Sequence, residues 1–241
     1  MEICSLNFNV TLPDVGENNQ LSNKGILRMM QEAACIHSSY ANFSVNSAKE
    51  TGLAWIILNW KLKVFSRPAW NTTLKLNTWS SKISHIFFYR DFEIYDSENK
   101  LVAIATSKWV LFDFFNNKIA KINDDIKARY VCVNKSVFNE PVNEKLSAPQ
   151  NFNLLSEYVV SKRDIDTNHH VNNLNYLDFA YDAIPDDIYF NSNFKNVEIM
   201  YKLEAKLGDT LNLTYSREDD FHYVAISNKD SGKLNCIVKL Y

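Results

Sequence analysis

Glycine is scarce in this chain: five in 241 residues, all far apart. That spacing rules out a G-x-G-x-x-G dinucleotide loop and a phosphate-binding P-loop. No G-x-S-x-G occurs, which argues against the nucleophile elbow of an α/β-hydrolase. Cysteine is as sparse. Cys4, Cys35, Cys132 and Cys236 form no C-x-x-C pair and fit no zinc spacing, so they read as buried small hydrophobes in a reducing compartment. Adjacent His169 and His170 diverge in an extended segment, which argues against shared metal ligation. Charge of one sign is lacking too. The formal net charge is -2, and nothing in it suggests a nucleic-acid partner. The longest apolar stretch, around "LAWIILNW", falls far short of the roughly 18 residues a membrane span needs. "MEICSLNFNV" carries no basic leader and no long apolar run, so a cytoplasmic protein is expected.

What the chain does have is apolar and aromatic content, at 46% and 13%. A folded chain of this length buries roughly 70–75% of the surface its unfolded form exposes, so the core needs no staples. High Asn, Lys and Ile content suggests an AT-rich bacterial source.

A faint repeat runs through the sequence. "NWKLK" (Asn59 to Lys63) resembles "MYKLE" (Met200 to Glu204). "TLKLNTW" (Thr73 to Trp79) resembles "TLNLTYS" (Thr210 to Ser216). "FFYRDFEIYDS" (Phe87 to Ser97) resembles "FHYVAISNKDS" (Phe221 to Ser231). The matches keep their order, and together they favour a duplicated unit.

Each half begins with a strand, Ile3 to Leu12 and Leu154 to Ser161. A helix follows. Ser22 or Asn23 can cap the first, and Ile26, Leu27, Met30, Ala33 and Ala34 form its apolar stripe. Val171, Leu174, Leu177, Ala180, Tyr181 and Ile184 mark the second, which Pro185 ends. Four β-prone runs then follow in each half. In the first they are Trp55 to Phe65, Thr72 to Lys82, His85 to Tyr95 and Leu101 to Phe112. In the second they are Lys195 to Ala205, Thr210 to Ser216, Phe221 to Ser227 and Leu234 to Leu240. One long helix wrapped by a curved antiparallel sheet, twice over, is an α+β pattern and not an alternating βαβ one. The expected division is 1–118, a linker at 119–150, and 151–241. Lys118, Lys121, Lys127 and Arg129 read as decoration of that solvated linker.

Asp166, Asn168 and His170 stand at every second position ahead of the second helix. In extended backbone all three project to one side. A helix beginning near His170 or Val171 would bring its unpaired N–H groups to this cluster, a suitable place for a developing oxyanion. Capping alone needs only one such residue.

"DIDTNHHVNNLNYLDF" resembles the D-x-D-x-N-x-H-V-N-N-x-x-Y signature of the acyl-acyl-carrier-protein thioesterases, tandem double hotdog enzymes of plant plastids and bacteria. The resemblance covers nearly the whole chain. It implies catalytic roles for Asp166, Asn168 and His170, and for Glu204, which falls in "YKLEA" within a strand of the second half. Ala205 stands where plant members have Cys, so a thiol is not expected to be required. Lys63 is expected to hold the first half's counterpart position to Glu204, and no D-x-N-x-H precedes the first helix. The resemblance therefore gives the first half to the acyl pocket. Met29, Met30, Ala34, Trp55, Ile57 and Trp60 are its candidate lining, with plain core packing as the alternative.

The expected chemistry is thioester hydrolysis. A partly buried Glu204 would serve as general base, with His170 orienting water or relaying a proton, Asn168 positioning substrate or water, and Asp166 orienting the network. Direct attack by Asp166 through an anhydride stays open. No cofactor is expected, since phosphopantetheine arrives with the substrate. The expected partner is an acyl carrier protein met by a basic rim, with Lys162, Arg163 and Lys202 as candidates. Monomer and homodimer both fit a tandem chain. Two other functions fit the scaffold: a thioesterase acting on acyl-coenzyme A, and a non-catalytic acyl-binding protein.

Overall fold

The computed structural model describes residues 2–140, 146–147 and 153–241. Residues 141–145 and 148–150 of the expected linker, and 151–152 at the start of the expected second unit, lie outside the described residues. The chain divides into two compact units, Met1–Val142 and Asn143–Tyr241.

The first unit comprises strand β1 (Ile3–Asn9), helix α1 (Asn23–Tyr40), helix α2 (Val45–Thr51), then β2 (Leu53–Val64), β3 (Thr73–Ile83), β4 (Phe87–Tyr95) and β5 (Leu101–Asp113). A two-residue strand β6 (Lys118–Ile119) and helix α3 (Asp124–Arg129) follow. The second unit repeats the plan with β7 (Asn153–Val159), α4 (Asn175–Ala183), α5 (Asp186–Asn191), β8 (Asn196–Tyr201), β9 (Thr210–Glu218), β10 (Phe221–Asn228) and β11 (Leu234–Leu240). Strand order in the first unit is β1-β3-β4-β5-β2, and in the second β7-β9-β10-β11-β8. The pairings within each unit are antiparallel. Each unit is an α+β hotdog, with its long helix packed on its own antiparallel sheet.

Helix α1 starts where the sequence places it. Ser22 is the N-cap, its Oγ accepting from the Gly25 N–H at 3.0 Å. Ile26, Leu27, Met29, Met30 and Ala33 are fully buried. Each of the larger side chains contributes about 1.5–3 kcal/mol by leaving water. Gly25 permits a close approach: a Cβ there would stand 2.4 Å from the Asp14 main-chain oxygen.

Strand β1 ends earlier than its β-prone sequence suggests. Thr11 opens a 3-10 turn, Leu12–Asp14, whose Asp14 carboxylate accepts from the Thr11 N–H and hydroxyl. Pro13 suits the start of such a turn. Arg28 of α1 closes on the same carboxylate at 2.8 Å. The second unit repeats the device with Ser161 and Asp164 in the turn Lys162–Asp164, where Tyr158 replaces Arg28 as donor.

The expected linker does not run free through its first part. Cys132 bridges Ser80, the Val137 N–H reaches the buried Asp91 carboxylate at 3.1 Å, and Trp79 Nε1 donates to the Lys135 carbonyl at 2.9 Å. The segment is thus tied to β3 and β4 of the first unit. On α3, Lys127 and Arg129 pair with Asp124 and Asp125 at the surface. Of the four free cysteines only Cys4 and Cys236 are buried; Cys35 and Cys132 are exposed.

Candidate active site

The polar cluster occupies a tight turn, not extended backbone. Asp166 N–H donates to the His170 carbonyl at 2.9 Å, and His169 N–H donates back to the Asp166 carbonyl at 3.1 Å. The Asp166 carboxylate accepts from the Asn168 N–H at 2.8 Å. Asp and Asn favour such turns because their short side chains satisfy the backbone locally. His169 takes φ 63°, the left-handed region. Alternation in the sequence therefore does not put the three side chains on one face of a strand.

Helix α4 begins only at Asn175. Asn172 fills the gap, its carbonyl accepting from the Asn175 N–H and its Oδ1 from the Leu174 N–H. The helix thus starts at Asn175 and not near His170 or Val171 as its sequence suggests.

Glu204 also sits differently. Strand β8 stops at Tyr201, because the N–H groups of Lys202 and Leu203 both turn to the carbonyl of Asn235, at 2.8 and 3.3 Å. Glu204 lies in the loop beyond, and its side chain is 54% exposed. The expectation of a strand residue withdrawn from water is corrected on both counts. Its contact is nevertheless the expected one: Oε2 lies 3.0 Å from His170 Nε2, whose side chain is 23% exposed.

The loop that carries Glu204 is pinned from three sides. Asn235 Nδ2 donates to the carbonyls of Leu203 and Glu204, both at 3.2 Å. The Ala205 N–H donates to the Tyr176 hydroxyl at 3.1 Å, and the Ala205 carbonyl accepts from the Val171 N–H at 2.9 Å. Ala205 is fully buried with both main-chain groups engaged. Tyr201 Oη holds the Asn173 carbonyl at 3.0 Å. Burial pushes the Tyr176 and Tyr201 hydroxyls well up from the ordinary tyrosine range, so both stay protonated.

The first unit contains the same loop without the same chemistry. There the Gly16 N–H donates to the Gln20 carbonyl, Asn19 donates back to Gly16, and Asn19 takes φ 59°. Gly16, Asn18 and Gln20 thus answer to Asp166, Asn168 and His170. Phe65 and Ser66 both donate to the Val102 carbonyl, as Lys202 and Leu203 do to Asn235. The Leu21 N–H meets the Pro68 carbonyl, as Val171 meets Ala205. These bonds make Arg67, not Lys63, the counterpart of Glu204. Lys63 aligned with it only through similar neighbouring letters.

The remaining sequence candidates are placed as follows. Met29, Met30 and Ala34 on α1, with Ile57 and Trp60 on β2, are all buried in the first unit. Trp55 is partly buried in an aromatic group with Phe43, Phe88 and Tyr130, and its Nε1 donates to Tyr130 Oη at 2.9 Å. The same interior holds Arg90, which the sequence reading passed over; its guanidinium meets His37 Nδ1 at 2.7 Å. Burial pushes that guanidinium down to about 10. Lys162 and Arg163 are exposed in the 3-10 turn after β7, and Lys202 is exposed just ahead of Glu204. Among the described residues no group of three or more His, Cys, Asp or Glu side chains is placed to hold a metal ion.

Two family matches divide the chain as its fold does. The acyl-ACP thioesterase N-terminal domain matches residues 3–130 and the C-terminal domain residues 147–239. The chain belongs to the acyl-ACP thioesterase family. It is 25% identical to oleoyl-acyl carrier protein thioesterase 1, chloroplastic, of Arabidopsis thaliana, over 85% of this chain and 61% of that one. It therefore spans about three fifths of that relative's length. Its fold is similar to that of an acyl-ACP thioesterase from Bacteroides thetaiotaomicron, with TM-score 0.86 and 21% identity over 99% of this chain and 96% of that one. The 12:0-ACP thioesterase of Umbellularia californica gives TM-score 0.84 at 18% identity, over 99% and 96%.

Proposed function

We propose that the chain hydrolyses the thioester of a fatty acyl-acyl-carrier-protein and releases the free fatty acid. The observation that carries this reading is the 3.0 Å contact between His170 and Glu204 beside the Asp166–Asn168 turn. One carboxylate oxygen of Glu204 is engaged by His170, and the side chain as a whole is exposed. Glu204 takes a proton from a water molecule as that water's oxygen bonds to the thioester carbon. The tetrahedral intermediate collapses with cleavage of the C–S bond, and the Glu204–His170 pair returns the proton to the departing thiolate. A positioned base of this kind contributes about 10²–10⁴ in rate.

The Asn168 side-chain amide makes no hydrogen bond among the described residues and is exposed, so it is free to donate to the thioester carbonyl. Asp166 holds the turn through the Asn168 N–H. The acyl chain would lie in the first unit against Met29, Met30, Ala34, Trp55, Ile57 and Trp60. The phosphopantetheine arm arrives with the carrier. Lys162, Arg163 and Lys202 supply positive charge for an acidic carrier protein, in a protein whose net charge is -2. No described helix is long and apolar enough to cross a membrane.

The test is a comparison of kcat/KM on acyl-carrier-protein and acyl-coenzyme A substrates of one chain length. A clear preference for the carrier protein, weakened by salt and by Lys202→Glu, is expected. A preference for acyl-coenzyme A, insensitive to Lys202→Glu, would instead make the chain a coenzyme A thioesterase. Tight acyl binding without product would leave it a binding protein.

A further inference from the structure

The two units carry the same loop, so each position in the first is a control for its counterpart in the second. Three of the differences are the proposed catalytic groups: Gly16 against Asp166, Gln20 against His170, Arg67 against Glu204. Two further differences lie behind them. Asn235 stands where the first unit has Val102, since each carbonyl accepts the same pair of N–H groups at a strand end. Tyr176, five residues past Val171, stands where Ile26 stands five past Leu21. Val102 and Ile26 are fully buried and apolar; Asn235 and Tyr176 are 2% exposed and polar. The interior has thus taken on two polar side chains in the unit that carries the site, and both reach the Glu204 loop.

Asn235 makes the stronger grip. Its carbonyl accepts from Lys202 and Leu203, and its Nδ2 donates to the carbonyls of Leu203 and Glu204. Its Oδ1 is buried with no hydrogen-bond partner among the described residues. The two carbonyls fix the amide's orientation, because turning it over would aim Oδ1 at both of them. The orphaned Oδ1 marks the residue as costly for the fold. Valine, which serves at the counterpart position, would bury no unpaired acceptor, and the carbonyls of exposed Leu203 and Glu204 could turn to water. A polar group kept at a buried position against the interest of stability points to work done elsewhere.

We infer that Asn235 and Tyr176 are positioning residues for hydrolysis, holding the backbone of Leu203, Glu204 and Ala205 so that the Glu204 carboxylate meets His170. This rests on the reading of Glu204 as the base. Neither residue is given any contact with substrate. Misplacing a reacting group by about 1 Å can cost around 10²-fold in rate. Loss of the grip therefore lowers kcat and leaves KM, which reflects binding to other surfaces, nearly unchanged.

The experiment measures kcat, KM and melting temperature for Asn235→Val and Tyr176→Phe, each alone and in a Glu204→Gln background, on one acyl-carrier-protein substrate. Both single variants are expected to lose about 10–100-fold in kcat at unchanged KM, with Asn235→Val melting no lower than the parent. In the Glu204→Gln background neither should cost anything further, because the residue they position is already disabled. The inference is overturned if folded Asn235→Val and Tyr176→Phe keep full kcat. It is equally overturned if their losses recur undiminished in the Glu204→Gln background, or if the loss appears in KM. Full activity in Glu204→Gln alone would sink the reading of the base itself and the inference with it, and that result is visible before either positioning variant is made. Should Asn235→Val fail to fold, its stability argument is wrong, and Tyr176→Phe, which removes one hydroxyl, decides the rest.

Discussion

Arg67 and Glu204 occupy equivalent places in the two units, and they carry opposite charge. Arg67 turns inward on its own loop: Nη1 donates to the Leu21 carbonyl and Nη2 to Asn23 Oδ1, both at 2.8 Å. Glu204 meets the imidazole of His170 across the equivalent loop. One frame has been given a structural clamp in the first unit and a titratable pair in the second.

Arg67→Ala should therefore cost stability and not chemistry. Loss of hydrogen bonds from a charged donor is worth about 1.5–3 kcal/mol. Urea unfolding should show that loss, while the rate per folded molecule stays close to the parent's. A large fall in kcat without a change in stability would mean that Arg67 serves the chemistry and is not a structural clamp.

Acid should loosen both units through the same device. Burial acts to push the Asp14 carboxyl up, but the hydrogen bonds from Arg28 and Thr11 together outweigh it and hold the group below the usual range. At Asp164 burial is likewise outweighed, by Ser161 and Tyr158. An unfolded aspartate titrates near about 3.9. A carboxyl depressed in the folded state binds fewer protons than in the unfolded one, so it contributes stability above that value and loses it as pH falls through the folded one. Melting temperature should drop below about pH 4, and Asp14→Asn or Asp164→Asn should each flatten the drop. An unchanged slope in both variants would show that these carboxyls are not its source.

Gly25→Ala reverses a familiar sign. In an exposed helix the change stabilises by about 1 kcal/mol. Here the new methyl would stand 2.4 Å from the Asp14 carbonyl oxygen and 2.8 Å from its Cβ. Overpacking of this kind costs about 1–3 kcal/mol, so denaturant titration should find the variant destabilised. A more stable variant would show that the turn around Asp14 yields easily.

The duplicated plan was legible because it rests on patterns longer than any local error. β-prone runs recur in order, and Ser22 caps a stripe that α1 buries as expected. The site motif was legible because Asp166, Asn168 and His170 fall within one short stretch of sequence. Its conformation was not. Polar alternation imitates a strand, whereas Asp and Asn side chains bond their own backbone and His169 adopts a left-handed angle. Glu204 was misplaced for a related reason. "MYKLEA" continues a strand in pattern, but pairing ends at Tyr201 because two N–H groups converge on Asn235, some thirty residues away in sequence. That contact, like the one between Tyr176 and Ala205, is tertiary and leaves no periodic trace. The only local sign of Asn235 is a polar residue at an inward position in "LNCIVKL".

The most direct measurement is steady-state hydrolysis of an acyl-carrier-protein thioester by Glu204→Gln and His170→Ala, each checked for a parent-like melting curve. Both should fall by about 10²–10⁴ in kcat, because each removes one half of the 3.0 Å pair. A folded variant of either kind that hydrolyses the substrate at close to the parent rate would contradict the role given to the pair.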